Sequence, residues 1–130
     1  MTHREMKSVN MIFWAGGAFD VLVGGVLVQS YSPSPDGSYD YHYYAAINFD
    51  GGSYTSYDDT YSSSNVRTGR TFYDASGNAQ ASETFLTGGG FTDTIGGVTY
   101  QTFTPGAGGS YDYRYYLSGT FQGLTNVERI

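Results

Sequence analysis

Asp40, His42 and Tyr44 stand at alternate positions of the octapeptide GSYDYHYY (Gly37 to Tyr44). The chain writes nearly the same octapeptide again as GSYDYRYY (Gly109 to Tyr116), where the set becomes Asp112, Arg114 and Tyr116. A carboxylate, a nitrogen donor and a phenol ring presented together suit a polyhydroxylated ligand such as a glycan. The ring stacks on the apolar face of a sugar, and the charged groups hydrogen-bond its hydroxyls. These six residues are therefore candidate ligand-binding positions. They offer little for catalysis. The counterpart of His42 is an arginine, so a base or metal-ligand role is not shared by the two copies, and His42 reads as an exposed polar residue. The other histidine is His3, near the start of the chain. Serines are plentiful, but no G-x-S-x-G turn presents one as a nucleophile. Asp40 and Asp112 would serve as a glycosidase pair only if the fold brought them together. No catalytic residue is assigned, and the chain is expected not to be an enzyme.

The segment Asp58-Asp59-Thr60-Tyr61-Ser62-Ser63 resembles the calcium-binding D/N-D/N-x-x-S/T-S signature of βγ-crystallin domains. The resemblance covers six residues. It implies a hard-cation site on Asp58, Asp59 and Ser62, with calcium as the one cofactor to consider. Crystallin domains carry the signature in tandem Greek keys, whereas it stands once here, and the alternative is a polar turn. With no cysteine, the chain has no disulfide, thiolate metal site or cysteine nucleophile. The glycine runs at Gly88 to Gly90 and Gly106 to Gly109 lack the lysine and helix of a phosphate cradle. A net charge of −6 without a basic cluster argues against nucleic acid, whose phosphates demand neutralisation.

The octapeptides belong to a longer match. At an offset of 72 residues, positions 13 to 51 meet 85 to 123 without a gap, and 18 of the 39 pairs are identical. GGVLVQSYSP (Gly24 to Pro33) falls on GGVTYQTFTP (Gly96 to Pro105). The match predicts an internal duplication. The expected plan is a tail at 1–12, unit A at 13–51, a connecting β segment at 52–84, a duplicate unit A′ at 85–123 and a tail at 124–130. Residues 13–123 would form one compact domain. Residues 9–28 are apolar enough to suggest a membrane span or signal segment, but Asp20 interrupts them and their counterpart, Phe85 to Thr104, is polar. A membrane role is disfavoured on that ground.

The elements that would position these residues are strands. FDVLV-GG-VLVQSYS and FTDTI-GG-VTYQTFT each read as two strands around a Gly-Gly turn. From Tyr39 the pattern has period two: Tyr39, Tyr41, Tyr43, Ala45, Ile47 and Phe49 on one face, the candidate polar residues on the other. The copy repeats it through Tyr111, Tyr113, Tyr115 and Leu117. The tyrosine row is expected to be core. DASGN (Asp74 to Asn78) marks another hairpin. About ten short strands predict an all-β sandwich or barrel.

With 14 Tyr, 8 Phe and few charges, the chain is expected to fold. The composition suits a non-enzymatic structural or attachment protein of an extracellular, cell-surface or virion assembly. It would act through self-association as a homo-oligomer, or through other subunits. The alternatives are a carbohydrate-binding module with two pseudo-equivalent sites, for which FDVLVGGVLVQ resembles a strand–turn–strand phrase of sugar-binding sandwiches, and a membrane-anchored extracellular β-domain.

Overall fold

The computed structural model describes residues 8–116 and the backbone of 120–121, 124–125 and 128–129. The protein is nearly all β. The strands are β1 (Val9–Phe13), β2 (Phe19–Val23), β3 (Val26–Pro33), β4 (Tyr39–Tyr43), β5 (Ile47–Phe49), β6 (Gly52–Tyr54), β7 (Ser56–Tyr61), β8 (Arg67–Tyr73), β9 (Ala79–Phe85), β10 (Phe91–Ile95), β11 (Val98–Pro105), β12 (Tyr111–Tyr116), β13 (Thr120–Phe121), β14 (Leu124–Thr125) and β15 (Glu128–Arg129). Eleven of them form one antiparallel sheet in the order β1-β2-β3-β4-β7-β8-β9-β10-β11-β12-β15. At about 4.8 Å between strands, the sheet is about 48 Å wide. The small hairpins β5-β6 and β13-β14 are inserted between β4 and β7 and between β12 and β15.

This is an open meander, in which each strand pairs with its neighbour along the sheet's path. The expected sandwich or barrel is not formed: among the described residues the layer that packs on the large sheet is the two-stranded β5-β6 hairpin, and β1 does not pair with β15. The Gly-Gly turns set this course. Gly24 and Gly25 have φ of +58° and +81°, and Gly96 and Gly97 have +59° and +81°. Such paired positive angles give tight hairpins whose twist matches the strands, so each strand returns beside its predecessor and stays in the same sheet.

Backbone features recur at the 72-residue offset. The register of β2 on β3 slips between Val21 and Leu22, and that of β10 on β11 slips between Asp93 and Thr94. Tyr43 faces Tyr57 across β4 and β7, and Tyr115 faces Arg129 across β12 and β15. Gly24 donates its amide to Ser8, and Gly96 to Gln80.

One further expectation, the length of the first tyrosine strand, needs correction. The strand predicted from residue 38 to 49 ends at Tyr43. The chain then leaves the sheet and folds Ile47–Phe49 back on Gly52–Tyr54, because Asp50 and Gly51 take left-handed angles of +48° and +82°. Residues 9–28, which suggested a membrane span, are β1, β2 and the start of β3, and no helix among the described residues is long and apolar enough to cross a membrane. The strand β1 also begins within the segment expected to be a tail. The continuation of the second tyrosine strand at Leu117 and most of both tails lie outside the described residues.

The two faces differ as period two requires. One is aromatic. A ladder of rings crosses it from Phe13 through Phe19, Tyr31, Tyr41, Tyr39 and Tyr61, with neighbouring centroids 4.9 to 6.1 Å apart. The Arg67 guanidinium, opposite Tyr61, then covers Phe85 at 4.5 Å, and Phe91, Phe103 and Tyr113 complete the row. These rings are mostly half-buried against each other and are not enclosed. Among the described residues only Phe72 and Ala81 are fully buried apolar side chains. Both lie where β5-β6 folds onto the aromatic face, with the Phe49 and Tyr54 rings 4.2 and 5.3 Å from that of Phe72.

Candidate functional site

The opposite face is polar and carries the candidate ligand-binding residues. Register places Asp20, Ser30, His42 and Asp58 directly across β2, β3, β4 and β7 from one another. The Ser30 hydroxyl donates to Asp20 Oδ1 at 2.6 Å and lies 3.1 Å from the Tyr44 hydroxyl. Trp14 Nε1 donates to Asp20 Oδ2 at 3.0 Å. His42 Nδ1 is hydrogen-bonded to Asp58 Oδ1, and the Tyr73 hydroxyl donates to Asp58 Oδ2 at 2.7 Å. Burial and the bond to Asp58 push the Tyr73 phenol well above its usual range, so it remains a donor.

His42 is therefore not the exposed polar residue that its sequence position suggested. It is half-buried, held by a carboxylate, and flanked by the rings of Tyr44 at 4.5 Å and Tyr73 at 5.3 Å. The three rings and the turn after Tyr73 border a groove of about 500 Å³, with Asp74 at its rim. Asp74 shapes that turn by accepting the amides of Ser76 and Asn78, both at 2.9 Å, which hold its carboxyl below the ordinary range.

In the second half, Arg114 and Tyr116 share the polar face with Asp112. Arg114 Nη1 donates to the Tyr116 hydroxyl at 3.4 Å, and the guanidinium lies 5.9 Å from that ring. With Thr92, Thr102 and Thr104 they line a groove of about 390 Å³. The structure thus brings Asp40, His42 and Tyr44 onto one strand face, and Asp112, Arg114 and Tyr116 onto another. It does not bring the two sets together. Asp40 and Asp112 are six strand spacings apart, about 29 Å, so they cannot flank one glycosidic bond.

The calcium expectation also needs correction. Asp58 and Asp59 are consecutive on a strand, not in a loop, so their carboxylates project from opposite faces. Asp58 serves His42 and Tyr73. Asp59 is buried on the aromatic face, where it accepts Arg70 Nε at 2.6 Å and Nη2 at 2.9 Å, with Arg67 Nη1 at 3.7 Å. The Ser62 hydroxyl faces the amides of Ser64 and Val66. Among the described residues no group of three carboxylates or imidazoles is placed to hold a metal ion.

Sequence reasoning missed the partners. Asp20, Ser30, Trp14 and Tyr73 join the polar site only through strand register. Asp50, Glu83 and Asp93 gather on the aromatic face beside the β5-β6 hairpin, and nothing in their spacing announces it. No protein-family model, curated protein or solved structure matches this chain.

Proposed function

We propose that this protein is a non-enzymatic building block of an extracellular or virion surface assembly, made by internal duplication, and that it works by associating with further copies of itself. The uncovered aromatic face carries this reading. A row of half-buried rings spans the sheet, Phe13 and Tyr111 near its ends are 72% and 60% exposed, and among the described residues only the β5-β6 hairpin packs on that face. Antiparallel sheets normally pack one face on a core. Contiguous apolar surface of this kind is characteristic of association sites. The uncharged strand β1, with Val9, Met11, Ile12 and Phe13 all exposed, is an edge of the sheet among the described residues and offers a pairing template.

Light scattering after size exclusion, with electron microscopy of the peak, tests the proposal. The expected result is an oligomer or fibre whose mass falls when Phe13→Lys and Tyr111→Lys place charge on the exposed ends of the ladder. A monomer at every concentration tested overturns it. The second reading, a carbohydrate-binding module, is favoured by the two ring-and-charge grooves on the polar face. A monomer that binds a glycan array, and loses that binding with Tyr44→Ala plus Tyr116→Ala while staying folded, would establish it instead.

A further inference from the structure

One of the two most buried large side chains in the described part of the molecule carries a carboxyl group. Asp93 is 2% exposed, and its Oδ1 has no hydrogen-bond partner. It stands on β10 directly opposite Glu83 of β9, on the same face of the sheet. Asp50, at the turn of the β5-β6 hairpin, is the third carboxyl of the group, close enough for Glu83 to raise its pKa and for it to raise that of Asp93. On the other flank Asp93 faces Gln101 of β11, and Tyr115 of β12 lies beyond. Glu83 in turn faces Arg70 of β8, but that guanidinium is clamped on Asp59 of β7. Three carboxyls therefore share a site whose nearest cation is engaged elsewhere. Two carboxyls that face each other in this way, one of them buried, favour a proton on one of the pair over two negative charges.

Among the described residues, the hairpin that carries Asp50 is also the element that covers the sheet at Phe72. Phe49 stacks on Phe72, and Tyr54 leans on the same ring. Its closure shields Phe72, which stands opposite Ala81, and ionising the buried carboxyl whose field the Asp50 turn shares is costly.

We propose that the β5-β6 hairpin is a proton-locked flap, closed over Phe72 while the Asp93 carboxyl is protonated and released as that proton is lost. Release bares Phe72, Ala81, Phe49 and Tyr54 and extends the exposed aromatic face. The flap is independent of self-association, because its opening is a property of a single chain.

The sign of the effect follows from linkage. Burial, first, and the neighbouring Glu83 and Asp50 carboxyls raise the Asp93 carboxyl to about 8 in the closed form. In the open form it is solvated, with an ordinary value near 4. The closed state therefore binds one more proton between these limits. Its advantage is complete below about pH 4, falls by about tenfold in the equilibrium per pH unit, and levels off above about pH 8. The raised Asp50 carboxyl acts in the same direction.

Amide hydrogen exchange of the full chain, corrected for intrinsic rates, reads this directly. Protection of residues 48 to 53 should fall about tenfold per pH unit from pH 5 to 8 and then level off, while β2 and β3 stay flat. Asp93→Asn should make residues 48 to 53 flat as well. Protection of these residues that does not change with pH, or an equal slope in Asp93→Asn, overturns the proposal. Should that variant fail to fold, the carbon-13 shift of the Asp93 carboxyl decides in the unmodified chain. A midpoint near 8 supports the lock, and an ordinary midpoint near 4 overturns it.

Discussion

Where the first half of the sheet places Met11 opposite Val21, the second half places Glu83 opposite Asp93. The strands, Gly-Gly turn and bulge around these pairs coincide at the 72-residue offset. The polarity is the reverse of what exposure alone would select. Met11 lies on a free edge and is exposed, whereas Asp93 is fully buried. What differs is the surroundings. The second pair is flanked by β8 and lies beside the β5-β6 hairpin, while among the described residues the first has no strand on its outer side and no hairpin against it. Turns and bulges fix the backbone, and the neighbours then decide which side chains each position tolerates and what each one does.

Breaking the covered region should cost most. Phe72→Ala removes the ring beneath the hairpin and should destabilise the fold by ~3–5 kcal/mol. Phe13→Ala, at the uncovered end of the ladder, should cost under about 0.5 kcal/mol in the same urea unfolding experiment. Equal losses would show that the hairpin makes no separate core. The backbone side of the comparison predicts parity. Gly25→Ala and Gly97→Ala both force a side chain into a left-handed angle of +81° with open space around it. Each should cost about 1–2 kcal/mol, by the same amount within measurement. Unequal costs would mean that the two turns are not equivalent. The smallest effect is expected from His42→Arg, which gives the first half the residue that the second half uses. Asp58 keeps Tyr73 and gains a guanidinium, so unfolding should shift by less than about 1 kcal/mol. A larger loss would mean that the imidazole itself is required.

Much of the strand pattern was legible in the sequence, and less of the site. Period two in SYDYHYY fixed the aromatic and polar faces, and the Gly-Gly pairs located the turns. The layer count was not legible, since alternation says that one face is apolar without saying what covers it. The end of β4 at Tyr43 was hidden because Ala45, Ile47 and Phe49 continue the alternation after the chain has turned away. Of the site, the alternation placed Asp112, Arg114 and Tyr116 together on one face, and they line one groove. His42 was misread because its partner, Asp58, arrives only when β4 pairs with β7. Asp58 and Asp59 were read as one cation site because a six-residue signature does not report which face each carboxylate takes. The Asp93 cluster depends on pairing, on a hairpin's placement and on an arginine's prior engagement, and none of these is local.

The meander also has a kinetic meaning. No strand of the large sheet waits for a partner from the far end of the chain, and the longest detour within the described pairings is the short excursion through β5 and β6. Loop-closure entropy is therefore small at every step, and low contact order favours rapid folding. The sheet can zip strand by strand in the order of synthesis. At each stage the newest strand is a bare edge, awaiting the next stretch of its own chain while open to any neighbour that reaches it first.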